Sequence, residues 1–114
     1  MEKVQKDKLK RQINQKIRDL KNDIRSYEDL TRPISPDNAI GRLSRMEALN
    51  SKSINEAALQ KARQLLSRLE NALKDIDADD FGICRHCEEP IPFKRLLIMP
   101  EARLCVKCAE ASGA

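Results

Sequence analysis

The four cysteines of the chain fall in two pairs, Cys84-x2-Cys87 and Cys105-x2-Cys108, with seventeen residues between the pairs. Two thiolates three residues apart can grip one ion, and the intervening segment can fold back to deliver the second pair. The spacing therefore predicts one tetrahedral four-cysteine zinc site. No cysteine is left over. A zinc ion ringed by four protein thiolates has no open coordination position, so it stabilises a fold and activates neither water nor substrate. His86 lies inside the first pair and could in principle replace a thiolate, but with four cysteines present a solvent-facing ring is the expected state. No Ser, His and acid grouping suggests hydrolysis, and no glycine-rich loop could cradle a phosphate. The chain is not expected to be an enzyme, and no catalytic residues are assigned.

The elements that must position this site are helical. From Lys3 to Leu30 the apolar residues Val4, Leu9, Ile13, Ile17, Leu20, Ile24, Tyr27 and Leu30 recur mostly every three or four positions, a narrow stripe on one helix face. So thin a stripe needs a partner helix. The segment Thr31-Arg32-Pro33-Ile34-Ser35-Pro36 breaks the pattern, because a proline pushes its preceding residue out of helical geometry. Ser35-Pro36-Asp37 then reads as a helix start, with Ser35 as N-cap. A second helix is predicted from about Pro36 to Ile76. Its stripe comprises Ile40, Leu43 and Met46, then Ile54, Ala58, Ala62, Leu65, Leu69, Leu73 and Ile76.

With a turn centred near Pro33, Val4 would lie opposite Arg63. The last turns of the second helix would then be covered only by Phe81, Ile83, Ile91, Phe93, Leu96, Leu97, Ile98 and Leu104. Asp75, Asp77, Asp79 and Asp80 should end that helix, since carboxylates at a C-terminus oppose the dipole. Pro90, Pro92 and Pro100 suggest a loop with short extended segments between the cysteine pairs. The expected architecture is mainly α: an antiparallel two-helix coiled-coil hairpin over residues 1–77, its tip near 31–45. A small four-cysteine zinc finger with a short C-terminal helix follows over residues 78–114.

Composition fits this plan. The 114 residues include two Phe, one Tyr and no Trp, and 35% are charged, which leaves little for a compact globular core and makes a metal staple useful. No apolar stretch reaches membrane-spanning length and Met1-Glu2-Lys3 opens no signal peptide, so a cytoplasmic protein without membrane contact is expected. There, paired CxxC motifs bind metal more often than they form disulfides. The net charge of +4, from 22 basic and 18 acidic residues, is interleaved along the helices and reads as a solvated face rather than a nucleic-acid patch.

Asp80-Phe81-Gly82-Ile83-Cys84, the two cysteine pairs, Ile91, the Arg95-Leu96 step and Pro100 carry a resemblance to the DksA/TraR family of four-cysteine zinc-finger proteins, which bind bacterial RNA polymerase. The resemblance implies a bacterial transcription regulator whose coiled coil enters the polymerase secondary channel, with the finger at the channel rim and no sequence-specific DNA contact. A monomer is expected. Asp37, Ala39, Arg42, Ser44 and Arg45 would form the polymerase-facing tip.

Two departures stand out. Active family members carry Asp-x-x-Asp-x-Ala at the tip. Counting back from Cys84 without gaps puts Gly41, Ser44 and Met46 there, whereas a one-heptad displacement puts Ile34, Asp37 and Ala39 there, and both preserve the stripe. Members that respond to guanosine tetraphosphate place cations where this chain has Met99 and Ala109, with only Arg68 retained. At about 1.5–3 kcal/mol per charged hydrogen bond, a weak or absent response is expected. Two other readings of the residues are a nucleic-acid-binding zinc module and a structural protein whose hairpin pairs with another coiled coil.

Overall fold

The computed structural model describes residues 1–32 and 45–113; within the second helix the side chains of Arg45, Met46 and Ala48 are also outside the description. Among the described residues four helices run in the order α1 (Lys3–Leu30), α2 (Arg45–Asp75), α3 (Phe93–Ile98) and α4 (Val106–Ala111). Among the described residues the one β-type pairing is an isolated antiparallel bridge between Ile83 and Pro90. The proposed tip residues Asp37, Ala39, Arg42 and Ser44, the alternative positions Ile34 and Gly41, and the helix start at Ser35-Pro36 lie outside the described residues. Arg45 opens the described part of α2, without its side chain.

The ends of α1 follow from local chemistry. The Glu2 N–H donates to the Gln5 side-chain carbonyl at 3.2 Å, the returning half of a capping box, and Lys6 N–H donates to the Glu2 carbonyl at 2.9 Å. At the other end, Thr31 N–H reaches the Tyr27 carbonyl at 3.0 Å and its hydroxyl donates to the Glu28 carbonyl at 3.1 Å, satisfying acceptors the helix leaves open. Helix α2 stops at Asp75, one residue short of the predicted Ile76. Turns spaced by three residues follow: Ala78 N–H to Asp75, Phe81 to Ala78, Ile83 to Asp80. The acidic run thus ends the helix.

The chain divides into two compact units, Arg18–Leu66 and the combination of Met1–Ile17 with Ser67–Ala114. In the first, Ile24, Leu59 and Ala62 are buried together, with Leu20, Tyr27 and Leu66 packed against them. In the second, Leu9, Ile13, Leu69, Ile76, Leu96, Pro100 and Cys84 are fully buried. Each fully buried Leu or Ile side chain contributes about 1.5–3 kcal/mol, so a short list of residues carries most of the apolar stabilisation.

The register differs from expectation. Arg63 pairs with Glu28 at 3.7 Å, not with the region of Val4, and Lys10 pairs with Asp77 at 3.2 Å. Residue numbers fall along α2 as they rise along α1, the antiparallel order. These exposed ion pairs are worth about 0–1 kcal/mol each, so they mark the register rather than set it. The N-terminal turns of α1 thereby share a unit with the last turns of α2, and Leu9 and Ile13, both 0% exposed, cover what the finger alone was expected to cover.

The stripe on α2 also differs. Ile54 is 71% exposed, while Leu59 is 6% exposed and takes the inward place predicted for Ala58, which is half-buried. Val4 and Leu30, the ends of the α1 stripe, are exposed. Between the cysteine pairs, the expected extended segments are replaced by α3. Pro92 supplies its extended N-cap at φ −55° and ψ 137°, and the six residues from Phe93 contain neither Pro nor Gly. Leu96 faces inward on this helix, which turns Ile98, two positions on, outward to solvent.

Candidate metal centre

The first cysteine pair sits on a tight loop. Phe81-Gly82 leads into it, and Gly82 holds φ +83°, a left-handed conformation in which only glycine is unstrained. Ile91 N–H donates to the Gly82 carbonyl at 2.7 Å, Cys84 N–H to Glu89 at 2.8 Å, and Glu88 N–H to Cys84 at 2.9 Å. The chain therefore doubles back around Cys84 to Glu89, and Glu88 completes the reversal at φ 62°. The second pair is arranged by α4. Cys105 is its N-cap, extended at φ −69° and ψ 168° with no capping bond from its thiol, and Cys108 lies one turn on. Arg85 N–H donates to the Arg103 carbonyl at 3.0 Å, and the Arg95 guanidinium Nε donates to the Leu104 carbonyl at 3.1 Å. These two bonds join the first loop and α3 to the segment entering the second pair.

The result brings together the four residues read from the sequence. The Sγ atoms of Cys84, Cys87, Cys105 and Cys108 all lie within 4.8 Å of one another. Cys87 Sγ and Cys105 Sγ are 3.8 Å apart. A tetrahedron with zinc–sulfur bonds of about 2.3 Å has sulfur–sulfur edges of about 3.8 Å, so the cluster has the dimensions of a zinc-thiolate site. Cys84 is buried, Cys105 and Cys108 are half-buried, and Cys87 is exposed, so the centre is shielded on one side and reached by solvent on the other. His86 is exposed and is no member of the cluster, in line with a solvent-facing ring.

The electrostatics call for a cation. Backbone N–H groups of Cys87 and then Cys105 point at the Cys84 sulfur and hold its thiol down to about 5, outweighing burial, and the His86 N–H assists. For Cys87 the Glu89 N–H acts to lower the value, but the hydrogen bond with Cys84 and burial together raise it above the ordinary thiol range. Cys108 is pushed up to about 12, first by its hydrogen bond with Cys105, then by burial and the remaining sulfurs. Without a metal, sulfurs this close favour ionisation of Cys84 at the expense of Cys87 and Cys108; a divalent cation removes that conflict. The four thiolates would hold the ion, and the ion would supply folding free energy to a finger with few buried side chains.

Spacing alone found the ligands but not their supports. The Arg95 bond to Leu104 and the left-handed Glu88 carry no sequence signal of their own, whereas Gly82 does. Beside the first pair, a cleft of about 420 Å³ is lined by residues including Arg68, Ala72, Phe81, Cys84 and Arg103. Met99 is exposed and Ala109 half-buried, and both side chains are uncharged, so neither position noted above supplies a cation.

Comparison with known proteins agrees with this geometry. Residues 79–112 match the prokaryotic dksA/traR C4-type zinc finger. The RNA polymerase-binding transcription factor DksA of Haemophilus influenzae is 44% identical over 48 residues, 42% of this chain and 33% of that protein. Its namesake from Escherichia coli K12 is 38% identical over 48 residues, 42% of this chain and 32% of that protein. The matched stretch thus spans about a third of the length of these relatives. The solved structure of transcription factor DksA2 from Pseudomonas aeruginosa superposes with a TM-score of 0.77 at 24% identity, over 99% of this chain and 86% of that one. That likeness is one of fold. Finger match and cysteine cluster together make residues 79–112 a four-cysteine zinc finger of the dksA/traR type, with one structural zinc.

Proposed function

We propose that the chain is a cytoplasmic transcription regulator that binds bacterial RNA polymerase and acts as a binding protein rather than an enzyme. The observation that carries the reading is the finger. Its four sulfurs have zinc-site dimensions, the segment holding them matches the dksA/traR zinc finger, and a 48-residue stretch of the chain is 44% identical to a protein named for RNA polymerase binding. Residues 1–77 form the hairpin that enters the secondary channel in this reading, and residues 78–114 form the finger that rests at its rim. The protein works as a monomer, contacts no DNA sequence specifically and responds weakly to guanosine tetraphosphate. Asp37, Ala39, Arg42, Ser44 and Arg45 are the residues that would face the active centre. None of the described helices is long and apolar enough to cross a bilayer.

The test is binding of the zinc-loaded chain to RNA polymerase core, in competition with a known secondary-channel factor. Mutual exclusion supports the reading. No binding at about 10 μM, where a specific complex would have released about 7 kcal/mol, overturns it.

A second reading is favoured by a separate observation. Leu30, Leu49 and Ile54, all in the unit Arg18–Leu66, are exposed. A hairpin that pairs with another coiled coil would cover such residues, and mass that rises with concentration in sedimentation would support this reading over the first.

A further inference from the structure

We propose that Arg95 is the positioning residue that sets the second cysteine pair for the metal; this rests on the zinc reading above. Arg95 is itself held from three directions. Its N–H donates to the Pro92 carbonyl at 3.0 Å, its carbonyl accepts from Met99 N–H at 2.7 Å, and the next residue, Leu96, is fully buried. From this fixed base its Nε donates to the Leu104 carbonyl at 3.1 Å, across nine residues, in a half-buried setting. The bond ends one residue before a ligand.

The neighbouring carbonyl, that of Arg103, is taken by the Arg85 N–H at 3.0 Å. Two consecutive carbonyls are thus tied to two different parts of the finger, the first cysteine loop and α3. Together they fix the peptide planes that aim Cys105. Cys105 in turn caps α4, and Ala109 N–H donates to its carbonyl at 2.9 Å, closing the turn that carries Cys108. Orientation therefore passes from Arg95 through Leu104 to both ligands of the second pair. Cys105 receives no side-chain capping bond and gives none, so nothing on its own helix would restore its aim. Without Arg95, the Leu104 carbonyl loses its charged donor and one of the two ties is gone. Outer partners of this kind, which orient a ligand without touching the metal, change metal affinity by about 10–100-fold when removed.

The experiment uses the full chain and compares Arg95→Ala with Lys94→Ala, an exposed neighbour on the same helix. Zinc affinity is read by chelator competition, the visible spectrum of the cobalt-saturated site reports ligand geometry, and far-UV circular dichroism reports the helices. Arg95→Ala is expected to bind zinc at least about 10-fold more weakly and to alter the cobalt bands at saturation. Lys94→Ala should match the parent in both. A purely structural role would lower stability yet leave the saturated cobalt spectrum as in the parent, and that result overturns the proposal. So does equal zinc affinity in the two variants. If Arg95→Ala fails to fold, Arg95→Lys carries the same comparison: a smaller loss is expected, and equality with the parent overturns it. A parent chain that binds no zinc would refute the zinc reading itself, whereas a zinc-binding parent with an unaffected Arg95→Ala would refute only the role of Arg95.

Discussion

Replacing Leu59 by alanine, set beside the same change at Ile54, decides which face of α2 meets α1. Leu59 is 6% exposed and clusters with Ile24 and Ala62, while Ile54 is 71% exposed. Truncating a buried Leu to Ala costs about 2–5 kcal/mol, the range reflecting how far neighbours can close the hole. Here Leu20, Tyr27 and Leu66 are only half-buried and can move inward, so the cost should fall near about 2–3 kcal/mol. At Ile54 almost no buried area is lost, and alanine is the better helix former, so the change should stay within about 0.5 kcal/mol of zero.

The assay is urea unfolding of the zinc-loaded protein, followed by circular dichroism at 222 nm. With a slope of roughly 1–2 kcal/mol per molar urea, Leu59→Ala should lower the midpoint by about 1–3 M, and Ile54→Ala by less than about 0.5 M. An Ile54 variant as damaging as the Leu59 variant, at equal slope, would refute the reasoning. It would show that the inward stripe passes through Ile54 and Ala58, the phase that the sequence period alone suggests.

Four further outcomes are expected. Cys105→Ser should abolish stoichiometric zinc binding and unravel the finger while most of the α1 and α2 dichroism remains; unchanged metal content and dichroism would remove Cys105 from the ligand set. Gly82→Ala should cost at least about 1–2 kcal/mol, because the residue holds φ +83° and its new Cβ would stand 3.2 Å from Met1 Cε and 3.5 Å from Leu96 Cδ1. Glu88→Gly, at φ 62°, should be neutral or stabilising by up to about 1 kcal/mol, and a loss there in urea unfolding would contradict the strain argument. Zinc binding should weaken steeply on acidification. Cys108, pushed up to about 12, and Cys87, also raised, carry protons at neutral pH that zinc must displace, so lower pH favours the metal-free form. Two protons per zinc correspond to a fall of at least about 100-fold in apparent affinity per pH unit between pH 8 and 6, and a slope below one would exclude these protonation states.

What was legible in the sequence was the set of ligands and the helical plan; what was not was every choice decided by a partner surface. Helix α1 is easily read because its apolar residues lie in one narrow stripe. Helix α2 is not, because it carries three adjacent apolar columns: Ala62, Leu69 and Ile76 in the middle, Leu59, Leu66 and Leu73 on one side, Ala58, Leu65 and Ala72 on the other. Either flank completes a period of seven with the centre, so periodicity fixes the central column and leaves the flank open. The structure divides the answer. In the unit Arg18–Leu66 the buried flank is Leu59, whereas in the other unit it is Ala72, which also lines the cleft with Phe81, Gly82 and Cys84. A small residue at that point leaves room for the cleft beside the first cysteine pair.

The finger repeats the lesson in polar form. Paired cysteines announce a metal because four identical ligands at a fixed spacing have few other uses. Arg95 enters the sequence reading only as part of a family resemblance, and its type and spacing assign it no role, because an arginine on a short helix is ordinarily a solvated surface charge. Its significance comes from the carbonyl it meets, and that carbonyl lies beside Cys105 only once the chain has folded back on itself.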